Sequence, residues 1–335
     1  MSDTLTAAVR GLLRHLHSRH PVRGGSLIIT LFGDAISPRA GAVTLGSLIR
    51  LARPFRLSER LIRTSVARLA QDGWLVARRQ GRQSEYRLTP GGAAKFADAT
   101  RRIYSPAPCS WSGSWTLLVL PAVPGGRPER LREELRWLGF GQLTPGTFAH
   151  PSCSIAQAKR QLANLPGAQP AVLLNSASDD RVADRQIAAL GWDLQALAQR
   201  YQQFVQAFEP LEKVTSAEVG PEAALIIRTL LVHEYRKIHL QDPLLPAALL
   251  PPEWVGARAY QVARRLYARV FGPAEQYLSA QAERLGGPLP PTDAAAHERF
   301  GGLQITRASR PDTGRMSAGN GSRDGHRAHD GRSSK

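Results

Sequence analysis

Four polar side chains, Arg60, Arg63, Thr64 and Arg68, recur at spacings of three and four within SERLIRTSVARLAQDG. Such spacing puts them on one side of a helix, with Ile62, Val66 and Leu69 on the other. A guanidinium pairs bidentately with phosphate or with the edge of guanine, so the chemistry on offer is recognition of a polyanion. Downstream, Arg78, Arg79, Arg82, Gln83 and Arg87 surround Gly81, and no acid interrupts them before Glu85. The helix taken alone reads equally well as a solvated face. With the basic hairpin behind it, the pair points to DNA. Which arginine meets a base and which a phosphate is left open by the sequence.

A second constellation lies near residue 235. His233, Tyr235, Arg236 and Lys237 offer hydrogen bonds and positive charge, and Trp254 offers an aromatic wall, which together suit a small effector. The alternative is a set of histidines hydrogen-bonded inside a helical domain. A zinc HExxH site is excluded, because Lys237 stands where the second histidine belongs. The two cysteines, Cys109 and Cys153, form no CxxC pair and read as reduced thiols. No Walker motif, GxGxxG or nucleophile elbow occurs, so no catalytic residue, metal or cofactor is assigned.

The elements that position these residues follow from capping and punctuation. SLIITLFGDAIS at 26–37 has helical spacing. TLGSLIRLAR at 44–53 reads as a short helix capped by Thr44 and stopped by Pro54. Ser58 caps the arginine helix, which ends at Gly73. Strands at 74–79 and 85–88 flank a turn at 80–84, and a helix runs from Pro90 to about Ile103. This is the order of a winged helix-turn-helix, whose third helix enters the major groove. After a Ser-, Pro- and Gly-rich linker at 105–114, the order strand, helix, strand, strand, helix, strand over 115–177 is the ferredoxin-like plan. Residues 179–284 are mainly helical, with prolines 243, 246, 251 and 252 between the last two helices.

Charge separates these regions. Residues 1–105 hold 18 Lys+Arg against 6 Asp+Glu, whereas 106–306 hold 19 against 18, so the positive field of the +17 chain sits at the N-terminal end. Apolar residues make up 42%, enough for a core over most of the length, and no run nears the ~20 apolar residues of a membrane span. The N-terminus lacks a secretory pattern, which with the reduced cysteines suggests a cytoplasmic protein.

SLIITLFGDAISPRAGAVTLGSLIRL with SERLIRTSVARLAQDGWL, and LLVHEYRKIHLQDPLLPAALLPPEW at 230–254, resemble the phenylacetic acid degradation repressor family, the PaaX-like regulators. The resemblance covers roughly 20–305. It implies a homodimeric repressor of an aromatic catabolic operon, released from its operator by an aryl-acyl-CoA such as phenylacetyl-CoA, although some members answer other inducers. The expected architecture is α+β and multidomain. It comprises a winged helix-turn-helix at 20–104, a ferredoxin-like βαββαβ domain at 115–178, a helical effector and dimerisation domain at 179–305 and a disordered basic tail at 306–335.

Two other readings compete. The ferredoxin-like middle also resembles a small CRISPR-associated nuclease fold. That activity needs a carboxylate at the end of the first strand, where this chain has Val119-Leu120-Pro121. A non-specific DNA-coating protein would bind with a steep salt dependence and little sequence preference.

Overall fold

A helix for which the sequence reading gave no expectation opens the fold. In α1 (Asp3–Ser18), Leu5, Val9, Leu12, Leu13 and Leu16 recur at helical spacing and are buried. The computed structural model describes residues 3–18, 24–106, 110–122, 129–214 and 218–303. The basic tail at 306–335, Cys109 and part of the 105–114 linker lie outside the described residues.

The arginine helix is built as its caps dictate. α2 (Gly24–Leu31) runs into a π-helical turn at Phe32–Ile36 and a 3-10 turn at Ser37–Arg39. Ala40 and Gly41, both at positive φ, then swing the chain into β1 (Ala42–Thr44), a strand with no sequence signal strong enough to mark it. Thr44 Oγ1 accepts from the Ser47 amide at 3.2 Å and starts α3 (Leu45–Ala52), which gives way to a 3-10 turn at Pro54. Ser58 Oγ accepts from the Leu61 amide at 3.2 Å and starts α4 (Glu59–Gln71). Gly73, at φ +73°, closes that helix, and the Trp74 amide donates back to the Leu69 carbonyl at 2.9 Å.

β2 (Leu75–Gln80) and β3 (Gln83–Leu88) then pair around Gly81-Arg82, a tighter turn than the expected 80–84. Gly81 takes φ +58°, which a side-chain-bearing residue resists. β1 pairs with β3, giving the antiparallel order β1-β3-β2. α5 (Pro90–Tyr104) follows, capped by Thr89.

The middle of the chain contains β4 (Trp115–Val119), α6 (Glu129–Trp137), β5 (Gly141–Thr144), β6 (Thr147–His150), α7 (Ile155–Leu162) and β7 (Val172–Ser176). Its sheet has the order β5-β6-β4-β7 with every neighbour antiparallel. Strand alternation sends Leu118, Phe148 and Leu173 to one face, beneath Leu131, Leu135, Ala158 and Leu162 of the two helices. Trp115, Leu117 and Ala149 on the other face pack on Ala188, Ile187 and Leu245, Leu249 and Leu250.

Four helices, a small hairpin and a final short helix complete the described chain: α8 (Arg181–Gly191), α9 (Leu194–Phe208), α10 (Pro221–His239), α11 (Val255–Gln281), β8 (Glu283–Arg284), β9 (Gly287–Pro288) and α12 (Ala294–His297). The prolines between α10 and α11 fall in an irregular connection, where Leu244 and Glu253 hold positive φ. One apolar core joins Leu27, Ile28, Phe32 and Val66 of the N-terminal helices to Leu230, Leu231, Tyr267 and Phe300 near the C-terminal end. The chain leaves this core after α5, builds a separate one in the middle, and returns to it with α9.

Candidate nucleic-acid interface

α4 and the β2–β3 hairpin present their guanidiniums outward. Arg60, Arg63, Thr64 and Arg68 are all exposed, while Ile62, Val66 and Leu69 turn inward to α2 and α3. α2 approaches α4 so closely at Gly24 that an added Cβ would lie 2.9 Å from both Leu61 Cγ and Ser65 Oγ. The reading face is therefore held from behind by packing, and its polar side is left to solvent.

The four side chains are not equivalent. Arg63 donates to Glu59 Oε1 through Nε at 2.9 Å, an exposed pair worth little in water and readily exchanged for phosphate. The Thr64 hydroxyl donates to the Arg60 carbonyl at 2.9 Å. Among the described residues, Arg60 and Arg68 have no carboxylate partner.

In the hairpin, Arg78, Arg79, Arg82, Gln83 and Arg87 are exposed. Register pairs Val76 with Arg87, Arg78 with Glu85 and Arg79 with Ser84, so alternation sends Arg78 and Arg79 to opposite faces. The one acid there is not a surface charge. Glu85 is 1% exposed, lies 3.4 Å from Arg87 and accepts from the Leu285 amide at 2.7 Å, tying the hairpin to β8–β9.

Sequence reading missed a second set of residues, which mounts this surface on the C-terminal helices. Asp34, in the π-helical turn, is 3% exposed. It accepts from Arg228 Nε at 2.6 Å, the Tyr267 hydroxyl at 2.7 Å, the Tyr104 hydroxyl at 2.8 Å and Arg299 at 2.9 Å. Burial alone would raise the Asp34 pKa, but the two guanidiniums and the hydroxyls hold it below its usual 3.8. Arg228 also reaches Glu275 at 2.7 Å, and Arg39 pairs with the same carboxylate. π-helical turns concentrate at such specialised positions.

The five expected effector residues do not line one site. His233 Nδ1 lies 3.0 Å from Thr30 Oγ1, and Arg236 donates to Thr30 Oγ1 at 2.9 Å and to the Ser26 carbonyl and hydroxyl at 2.8 Å, so both are struts from α10 to α2. Arg236 lines a cavity against α5, and Lys237, 3.1 Å from Glu234, lines another beside α1. Tyr235 and Trp254 alone share a cavity, of about 590 Å³, beneath the α10–α11 connection. His233 and His239 are separated as the six-residue spacing requires: His239 Nδ1 lies 3.1 Å from the Tyr201 hydroxyl. Burial lowers the His239 pKa to about 4, so its ring is neutral. Among the described residues, no group of three or more His, Cys, Asp or Glu side chains is placed to hold a metal, and no helix is long and apolar enough to cross a membrane.

Known proteins match this arrangement in chain order. Family models match as PaaX-like protein over residues 23–92, as the PaaX protein central Cas2-like domain over 108–188 and as the PaaX-like protein C-terminal domain over 192–280. The transcriptional repressor PaaX of Escherichia coli (strain K12) is 35% identical over 299 residues, which cover 88% of this chain and 95% of that protein. Among solved structures, the uncharacterized protein Rv0674 from Mycobacterium tuberculosis is 21% identical with a TM-score of 0.44, over 68% of this chain and 89% of its own. Three models in succession and a relative matched along nearly its whole length lead to one conclusion: the chain belongs to the PaaX-like family.

Proposed function

We propose that this protein is a transcriptional repressor of an aromatic, phenylacetate-type catabolic operon, that α2–β1–α3–α4–β2–β3 is its winged helix-turn-helix, and that an aryl-acyl-CoA such as phenylacetyl-CoA releases it from DNA. The observation that carries the reading is the row of exposed guanidiniums on α4 and the hairpin, of which Arg60 and Arg68 have no carboxylate partner among the described residues. α4 enters the major groove, where Arg60, Arg63, Thr64 and Arg68 meet bases and phosphates. Arg78, Arg79, Arg82, Gln83 and Arg87 of the wing meet the backbone or the minor groove. The E. coli relative, a transcriptional repressor by name, supports the regulatory role. The βαββαβ segment serves as a ferredoxin-like spacer or dimerisation surface, and a homodimer supplies the two reading helices a two-fold operator needs.

A gel shift on the gene's own upstream DNA tests this. Wild-type protein shifts that DNA in preference to scrambled sequence, and phenylacetyl-CoA reverses the shift. Equal affinity for scrambled DNA sinks the operator reading. An unchanged shift in the Arg60→Ala/Arg68→Ala variant sinks the assignment of α4 as the reading helix.

A further inference from the structure

The 590 Å³ cavity beneath the α10–α11 connection falls within the usual size of small-molecule sites. Tyr201, Tyr235, Trp254 and Tyr260 give it aromatic walls, and Leu244, Leu250 and Pro251 close its other side. Its polar groups are mostly spent on one another. The Tyr201 hydroxyl donates to Asp242 Oδ2 at 2.7 Å, and Asp242 Oδ1 accepts from the Leu244 amide at 2.7 Å. The Tyr235 hydroxyl is the exception: it is buried and has no hydrogen-bond partner. A buried hydroxyl left unpaired costs about 1–3 kcal/mol, so the fold retains it at a loss unless something enters to accept its proton. The connection that roofs the cavity holds Leu244 at φ +53° and Glu253 at φ +56°, backbone strain of the kind that collects at ligand sites.

We propose that this cavity binds a flat aromatic molecule carrying an uncharged carbonyl, which accepts a hydrogen bond from the Tyr235 hydroxyl while the ring packs against Trp254 and Tyr260. A free carboxylate is disfavoured, because Asp242 already stands in the wall and Arg102, the basic residue nearest to it, is engaged with the Asp242 carbonyl at 2.7 Å. The neighbouring cavity against α5 lacks an equivalent vacancy, since its Arg236 guanidinium is taken up by Ser26 and Thr30. A ligand held beneath the connection is the effector of the repressor proposed above, so its regulatory meaning rests on that reading, and binding is measured apart from DNA release.

Isothermal titration of the full-length protein with phenylacetamide, an uncharged aryl carbonyl, is the test. The wild type takes up one equivalent saturably. Tyr235→Phe deletes only the unpaired hydroxyl, so it keeps the melting temperature and weakens binding by about tenfold. Ala248→Trp, at an exposed position on the cavity rim, blocks uptake without loading the core. No saturable binding to the wild type, or equal affinity in Tyr235→Phe, overturns the site. Phenylacetate binding as tightly as the amide overturns the ligand class. Uptake by a protein that fails to prefer its upstream DNA supports the site and sinks the repressor reading. A specific DNA shift by a protein that takes up no probe does the opposite.

Discussion

Asp34→Asn keeps the shape of the side chain and deletes its charge, at the point where four donors converge within 2.6–2.9 Å. The amide's own N–H groups would then face Arg228 or a tyrosine hydroxyl, donor against donor. Arg228 keeps Glu275 at 2.7 Å, but Arg299 loses the carboxylate it holds at 2.9 Å and is left with the Asp34 and Gly33 carbonyls and the Tyr267 hydroxyl. One buried guanidinium thus goes uncompensated, a change that costs about 3–5 kcal/mol. In a chain of this size, that lowers the melting temperature by roughly 8 °C. Thermal denaturation followed by circular dichroism reads the shift. Removing the stranded cation, in Asp34→Asn with Arg299→Met, recovers part of the loss. The folded pKa of Asp34 lies below the unfolded value of 3.8, so its stabilisation is present above about pH 4 and is lost as pH falls through the depressed value. The gap between wild type and variant therefore narrows in acid. An Asp34→Asn protein melting within about 2 °C of wild type, or a double variant less stable than the single one, refutes the charge argument.

Arg60→Ala with Arg68→Ala makes the salt dependence of DNA binding shallower, with the melting temperature unchanged. The slope of log affinity against log salt falls by about one for each phosphate the variant no longer neutralises, and a filter-binding series across salt concentrations reads it. Gly92→Ala places a Cβ 2.5 Å from the Trp74 carbonyl oxygen, forcing the hairpin away from α5 and costing about 1–3 kcal/mol in urea denaturation. Burial lowers His150, which accepts from the Ser152 and Cys153 amides at 3.0 and 2.9 Å, to a pKa of about 4. Its folded value lies below the unfolded 6.5, so its stabilisation is complete above that pH and lost on acidification toward 4. NMR of the imidazole shows no titration at neutral pH, and His150→Gln flattens the fall in stability between those limits.

Local chemistry made much of this protein legible in its sequence. Thr44 and Ser58 cap the helices they were expected to cap, Pro54 stops α3, and Gly73 ends α4, because capping and chain reversal depend on a few adjacent residues. The strand and helix order of the middle segment follows from periodicity in the same way. Exposure of the arginines on α4 was also readable, since a helix with one apolar side turns the other to water. Pairing across the chain was not. A lone acid within the apolar SLIITLFGDAIS and a lone arginine within LIIRTLLV do signal buried charges, but nothing local says that Asp34 and Arg228, 194 residues apart, satisfy each other, or that Arg299 and two tyrosines join them. The motif around His233 shows the same limit. Its residues are close in sequence, yet a helix points them in different directions, so His233 and Arg236 brace α2 while Tyr235 turns to the cavity with Trp254. Sequence determined which side chains carry the chemistry; the packing of α10 against α2, α9 and α11 decided which of them are structural and which have an unpaired group left for a ligand.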